Sequence, residues 1–470
     1  MLFSSITFIF LFLPLMLAVY YLVPVKFRNI VLLVGSILFY AWGEPIYVGL
    51  LILSVVFNYF CGRDIEDKMD RPWLARKVLI FGIFNNILIL AFFKYFPFVM
   101  ENINSILQMD ISYRVLSLPI GISFYTFQAI AYLTDIFREK TGAERNFIKF
   151  GVYMSMFPKS IMGPIVRYEE IESQLGKRTM NWSRFGQGAM FFICGLAKKV
   201  ILADNIGLVH TQIVQLDPGS MSALTAWVGC LAFAFEIYFD FSGYSDMAIG
   251  LGRMLGFEIG RNFHYPYISK SITEFWKRWH VSLSSWFRDY VYIPLGGNKC
   301  GTYRHMLNLL LVWLLTGCWH GAEWNFIAWG VYFGIILILE KYVYGKWLAD
   351  ANPTVQHVFT MVIVLIGWVF FFSPDMGYAV NYLSAMFVFG ATAVADAQSL
   401  FLIGTNWVLF ILCGIGSTAL GLNLLHIATN TYKSRTFRNV ITCVVYIGMF
   451  LVSIAFLISG ESQTFIYFRF

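Results

Sequence analysis

The sequence is a succession of apolar runs, near 3–23, 30–42, 46–61, 78–98, 116–137, 148–165, 187–209 and 222–251, then 325–343, 356–373, 378–395, 401–425 and 440–458. A helix needs about 20 apolar residues to cross a bilayer, and in lipid every backbone N–H and C=O must be satisfied within the segment or a closed sheet. Runs of helical length recurring along the whole chain therefore predict an all-α polytopic membrane protein. Composition agrees, since 58% of residues are hydrophobic, 13% are charged and the mean hydropathy is +0.66, far from soluble globular domains. We expect a single membrane domain over residues 1–470, with roughly 11–13 membrane helices when re-entrant and half-spans are counted. The start, MLFSSITFIFLFLPLMLAVYYLV, lacks a basic leader and is longer than a signal core, so it is expected to remain as the first span.

Basic residues set the expected orientation. Lys26 and Arg28 follow the first run, residues 62–77 carry Arg63, Lys68, Arg71, Arg76 and Lys77, and residues 138–149 carry Arg138, Lys140, Arg145 and Lys149. Placed in the cytoplasm, these loops put the N-terminus outside; Lys433, Arg435 and Arg438 before the last run put the C-terminus outside as well. The formal charge of +7 thus speaks through its placement and implies no nucleic-acid partner. Seven scattered cysteines without a C-x-x-C pair argue against a metal knuckle or a disulfide scaffold, and no metal site is expected. The polar segment 166–186 reads as a solvated surface loop or short helix.

Residues 271–330 carry the chemistry. From Met306 to Trp319 the apolar run is 14 residues, too short to cross, and a helix of that length reaches only about 21 Å. This predicts a half-span with Trp319-His320-Gly321 at its inner end. A titratable group at such a place is a functional candidate, and a neutral imidazole there can take a proton from a hydroxyl. Trp276, Trp279, His280, Leu283 and Phe287 fall on one face of a helix, with Lys277, Arg278, Ser284, Ser285 and Arg288 elsewhere, which predicts an interfacial helix with His280 turned inward. Glu236 and Asp240, at i and i+4 in an apolar run, and Asp246 beyond them are costly in a membrane. They either line a polar substrate path or pair with Arg253, Arg261 or Arg288. Residues 252–304 hold eight basic side chains against three acids, a shelf suited to anionic lipid headgroups or to a phosphate-bearing acyl donor; within it Gly296-Gly297-Asn298-Lys299 reads as a plain turn. His210, His305, His357 and His426 stand beside loops or run ends and receive no function.

The segments EFWKRWHVSLSSWFRDYVYIPLGGN (274–298), WHGAEWNFIAWG (319–330) and YFDFSGYSDMAIGLGRMLG (238–256) resemble those of the membrane-bound O-acyltransferase superfamily. The resemblance is to its bacterial alginate and peptidoglycan O-acetyltransferase branch, with the teichoic acid D-alanyl transferase membrane subunit as a near relative. It implies a bundle around a buried catalytic tunnel, with His320 as the essential catalytic residue and His280 as a second, supporting position that orients substrate or shapes the tunnel. The chain's last residues, TFIYFRF, resemble the terminal motif of this branch and of the accessory peptide of the D-alanylation system, which implies Tyr467 as a carrier of the acyl group. An aromatic anchor at the membrane interface explains the same residues equally well.

The implied activity is movement of a short acyl group, acetyl first among candidates, from a cytoplasmic thioester such as acetyl-coenzyme A across the bacterial inner membrane. The acceptor would be an extracytoplasmic polysaccharide, alginate, peptidoglycan or another glycan, reached through a separate SGNH-type O-acetyltransferase partner. No bound cofactor is implied. A lipid O-acyltransferase keeps the chemistry and changes the acceptor; a transporter would show internal repeats, and the chain has none by inspection.

Overall fold

The computed structural model describes residues 2–421, 423, 434–460 and 465–466. Among these the regular structure is helical throughout, with no strand. Eight helices are long and apolar enough to cross a membrane: Val25–Gly43, Val48–Asp67, Pro72–Leu107, Ala223–Met254, Trp324–Asp350, Pro353–Phe372, Ala397–Gly416 and Thr436–Ser459, with Phe8–Leu22 as a shorter apolar helix. Run 187–209 stays helical from Trp182 to Val214 and carries Lys198, Lys199 and Asp204; three others are broken for local reasons. Run 116–137 becomes helical only at Ile122, because Pro119 and Gly121 precede it and Gly121 sits at φ +74° with the Ser160 carbonyl where a Cβ would be. Run 148–165 gives the short helix Phe147–Ser155, ended before Pro158, and run 378–395 keeps only Met376–Met386.

The chain groups into two compact units. In the first, residues 1–192 with 245–260, the helix Ile122–Phe137 is buried along residues 122–136, its polar Gln128 and Asp135 included. Asn58 and Asn86 exchange side-chain hydrogen bonds of 3.2 and 2.8 Å between the helices Val48–Asp67 and Pro72–Leu107, a polar clasp of the kind that holds membrane helices together. The polar segment after residue 166 is not simply solvated. Its Arg178 lies 4.4 Å from the Phe257 ring and donates to Asn29.

The second unit, residues 193–244 with 261–470, contains every histidine described. Its centre is residues 223–244 of the buried helix Ala223–Met254, whose first backbone donors are taken up by Ala393 and Val394 carbonyls. Around it lies an aromatic core in which Phe275, Trp276, Trp279, Trp313, Trp329, Phe333, Trp368 and Phe371 are all buried.

Candidate active site

His320 ends the helix Thr302–His320, with Gly321 as the capping residue in extended conformation. That helix has 19 residues, so it reaches about 28 Å by its rise rather than the 21 Å drawn from the apolar run, because Thr302 to His305 continue the helix although they are polar. The chain turns at 321–323 and returns as the helix Trp324–Leu339. The two arms approach so closely that a Cβ on Gly330 would stand 2.4 Å from the Trp313 carbonyl oxygen, and one on Gly317 2.4 Å from that of Phe326. A side chain on Gly321 would run into the Phe326 ring, 2.0 Å away, which explains the small residue after His320. This hairpin lays Trp329 against His320. The imidazole is 6% exposed and is enclosed edge-to-face by Trp319, Trp329 and Phe371, at centroid distances of 4.9, 5.0 and 5.2 Å. The C-terminal end of a helix favours positive charge, which suits a base that becomes cationic as it takes a proton.

His280 is also buried, at 2% exposure. The sequence predicted one continuous helix through it; instead Ile272–Arg278 and Val281–Phe287 are separate helices, and His280 sits between them at φ 45°, ψ 54°. A non-glycine residue in the left-handed region is strained, and the neighbourhood holds it there. The Val281 amide donates to the Asn262 carbonyl, and the Ser282 amide and hydroxyl both donate to Asn262 Oδ1, each at 3.0 Å. Upstream, the Glu340 carboxylate accepts from the Ile272 and Thr273 amides at 2.7 and 3.0 Å, capping the helix that delivers the histidine. The expected sidedness survives the break, with Trp276, Trp279, Leu283 and Phe287 buried and Lys277 and Arg288 exposed. Burial pushes the His280 imidazole well below its ordinary value, to about 3, so it is neutral.

The structure brings the two histidines together through one ring. Trp319 packs on His320 and, at 5.9 Å, on His280, which in turn packs on Phe241 at 4.7 Å. Phe241 belongs to the central helix, immediately after Asp240. Asp240 does not pair with an arginine, as expected, but with Lys199, whose Nζ lies 2.7 Å from Asp240 Oδ1 and 2.7 Å from Asp204 Oδ1. Lys199 and Asp240 are 2% and 1% exposed. Asp240 Oδ2 accepts the Ile466 backbone N–H at 2.9 Å, and the Phe465 ring lies under Lys199 Nζ, 4.6 Å away, and edge-on to Tyr244 at 5.3 Å. Phe465 and Ile466 are buried. Tyr467, the next residue, lies outside the described residues, as does His426.

Sequence reading missed Lys199, although a lysine inside apolar run 187–209 was a visible signal; it also missed Trp329, Phe371 and Asn262, whose roles come only from folding. Of the histidines given no function, His305 bridges the Tyr292 and Tyr342 hydroxyls at 2.7 and 2.6 Å, while His210 and His357 bond the Gly229 and Ser269 carbonyls, each at 3.1 Å. In the basic shelf, Arg278 pairs with Glu274 and Arg288 with Asp289, and Gly296-Gly297 forms a turn at φ 106° and 55°. A cavity of about 500 Å³ opens beside Phe235, Tyr267, His357 and Met361, and one of about 570 Å³ beside Phe57, Arg63 and Phe81. Neither is lined by His280 or His320, so neither is the tunnel expected beside them.

Residues 137–384 match the family model of the membrane-bound O-acyltransferase family, more than half of the chain and the whole of the histidine site. The chain belongs to the membrane-bound O-acyltransferase family. Among its relatives is a probable alginate O-acetylase AlgI of Azotobacter vinelandii, 42% identical over 401 residues, covering 84% of this chain and 80% of the relative. The peptidoglycan O-acetyltransferase of Helicobacter pylori is 34% identical over 423 residues, covering 82% and 80%. A teichoic acid D-alanyltransferase of Streptococcus thermophilus is 29% identical over 239 residues, covering 47% and 56%. This member of the family is therefore a multi-pass membrane acyltransferase.

Proposed function

We propose that this acyltransferase moves an acetyl group from a cytoplasmic thioester, acetyl-coenzyme A first among candidates, to an extracytoplasmic polysaccharide of the alginate or peptidoglycan class. An SGNH-type transferase outside the membrane makes the final ester. The chain sits in the bacterial inner membrane with both termini outside, an orientation that its basic loops favour. His320 is the general base, His280 orients the substrate, and Tyr467 carries the acyl group between donor and partner.

One observation carries this reading. The tail that carries Tyr467 is fastened through Ile466 to Asp240, and the following residue on the same helix, Phe241, packs on His280 in the ring cluster that holds His320. An interface anchor would leave Phe465 and Ile466 at the surface; they are 0% and 3% exposed.

In the first step His320 takes the Tyr467 hydroxyl proton as the oxygen attacks the thioester carbonyl. The C–S bond breaks, and the thiolate leaves with the proton held by the imidazolium. The partner's nucleophile then attacks the ester carbonyl and takes the acetyl group, the bond from the carbonyl carbon to the phenolic oxygen breaks, and the nucleophile's proton regenerates the phenol. A phenol suits the role because its pKa near 10 makes it a better leaving group than an alkyl alcohol. Rings packed around His320 keep out the water that would hydrolyse either ester.

The test is acetylation of the glycan at matched membrane protein levels. His320→Ala is expected to lower the rate by about 10²- to 10⁴-fold, His280→Ala by less, and Tyr467→Phe to abolish transfer. Wild-type rates in His320→Ala would refute the base, and in Tyr467→Phe the carrier.

A further inference from the structure

We propose that the buried Lys199–Asp204–Asp240 cluster is a dock for the chain's own C-terminal tail, with Asp240 and Lys199 as positioning residues for acyl transfer. The dock itself rests on described geometry; its part in transfer rests on the reading of Tyr467 as carrier.

Asp240 is 1% exposed and its Oδ1 accepts from Lys199 at 2.7 Å; its second buried oxygen, Oδ2, is costly unless a donor reaches it too. A donor that does so is the Ile466 amide, 226 residues distant from Asp240 in sequence. Asp240 divides its oxygens, Oδ1 accepting from Lys199 and Oδ2 from the tail, so the lysine fixes the carboxylate in the orientation that the tail requires. Because the tail donates through its backbone, this bond does not select a side chain at 466; selection comes from the rings. Phe465 fills the space between Lys199 Nζ and Tyr244, where a smaller side chain would lose both the cation contact and the edge-on packing. Asp240 and Phe241 are consecutive, so one helix turn presents the tail from one residue and supports His280 from the next. The dock thus fixes the chain one residue short of Tyr467.

The experiment uses the full chain in detergent micelles, treated with a carboxypeptidase and read by intact mass, beside the glycan acetylation assay. In the wild type trimming is expected to stop with Phe465 and Ile466 retained. In Asp240→Asn one of the two oxygens becomes an NH2 donor, which faces either Lys199 or the Ile466 N–H instead of accepting from it. Losing one charge-assisted hydrogen bond shifts a docking equilibrium by roughly 10- to 100-fold, so trimming should run past residue 465 and transfer should fall. Phe465→Ala leaves every member of the ion cluster in place and is expected to release the tail in the same way, with the bundle still folded as read by its thermal midpoint. Wild-type trimming in both variants would overturn the dock, even where Tyr467→Phe still abolishes transfer. A released tail with wild-type transfer would overturn the positioning role, and the carrier reading with it.

Discussion

A single methyl group on Gly330 tests how far the hairpin sets the geometry of the base. Its Cβ would lie 2.4 Å from the Trp313 carbonyl oxygen and 3.1 Å from Gly317 Cα, where ordinary contact begins at 3.4 Å. Both are backbone atoms and cannot rotate away, so the two helices must part by about 1 Å in an interior packed at crystal density. Overpacking of this kind costs roughly 1–3 kcal/mol from a total stability of about 5–15 kcal/mol, so the protein should still fold. The displacement is local to the chemistry, because Trp329, the preceding residue, packs 5.0 Å from His320 and 5.6 Å from Trp276. A misplacement of about 1 Å can cost about 10²-fold in rate. Gly330→Ala should therefore lower glycan acetylation per molecule by one to two orders of magnitude while lowering the thermal midpoint only modestly. Gly334→Ala is the control on the same helix, since its Cβ meets Leu310 Cδ1 and Trp313 Cβ at 3.2 Å, an overlap of a few tenths of an ångström against about 1 Å at Gly330. Activity within twofold of wild type in Gly330→Ala would show that the hairpin does not govern His320.

Two further outcomes follow from single contacts. Asn262→Ala removes the acceptor of both Ser282 donors and should cost about 1–3 kcal/mol, with a fall in the catalytic rate as His280 loses its fixed backbone; a normal rate beside a lowered thermal midpoint would make Asn262 purely structural. Asn58→Ala leaves Asn86 without its partner across two helices of the first unit and should destabilise by a similar amount, while activity per folded molecule stays at the wild-type level; a selective loss of activity would tie that clasp to transfer.

Much of the bundle was legible because membrane helices announce themselves by apolar length, as in the runs that became Pro353–Phe372 and Ala397–Gly416. Where a run contained Pro158 or Gly121, length overstated the helix, since backbone preference outweighs hydropathy locally. The His280 segment shows the converse. Its apolar spacing correctly gave the buried face, but periodicity is blind to a left-handed residue held by Asn262, whose bond to Ser282 spans 20 positions of sequence. The cost of intramembrane charge correctly marked Asp240 as needing a partner, yet sequence distance favoured the nearby arginines over Lys199, 41 residues earlier. His320 could be singled out from its Trp-Gly bracket, whereas the rings that enclose it come from residues 319, 329 and 371 on three helices, a convergence that only the fold creates.

That enclosure makes a last prediction about what the rings do. A base beside a thioester must meet a hydroxyl and not water, and an apolar cavity stays dry unless polar partners can hold a water in it. Around His320 such partners exist: the imidazole itself, and the buried Trp329 indole N–H, which has no hydrogen-bond partner among the described residues. Dryness therefore depends on volume being filled, and Phe371 fills it, packed 5.2 Å from His320, 5.5 Å from Trp329 and 5.1 Å from Phe326. Phe371→Ala is expected to cost about 3–5 kcal/mol and to admit water beside the base; Phe371→Leu keeps most of the volume at smaller cost. With a radiolabelled acetyl donor, the measured quantity is free acetate against acetylated glycan. The ratio should rise in Phe371→Ala and much less in Phe371→Leu, because only the larger loss leaves room for a water with both partners in reach. If hydrolysis and transfer fall in the same proportion in both variants, the ring supports the fold alone and water is excluded by some other part of the site.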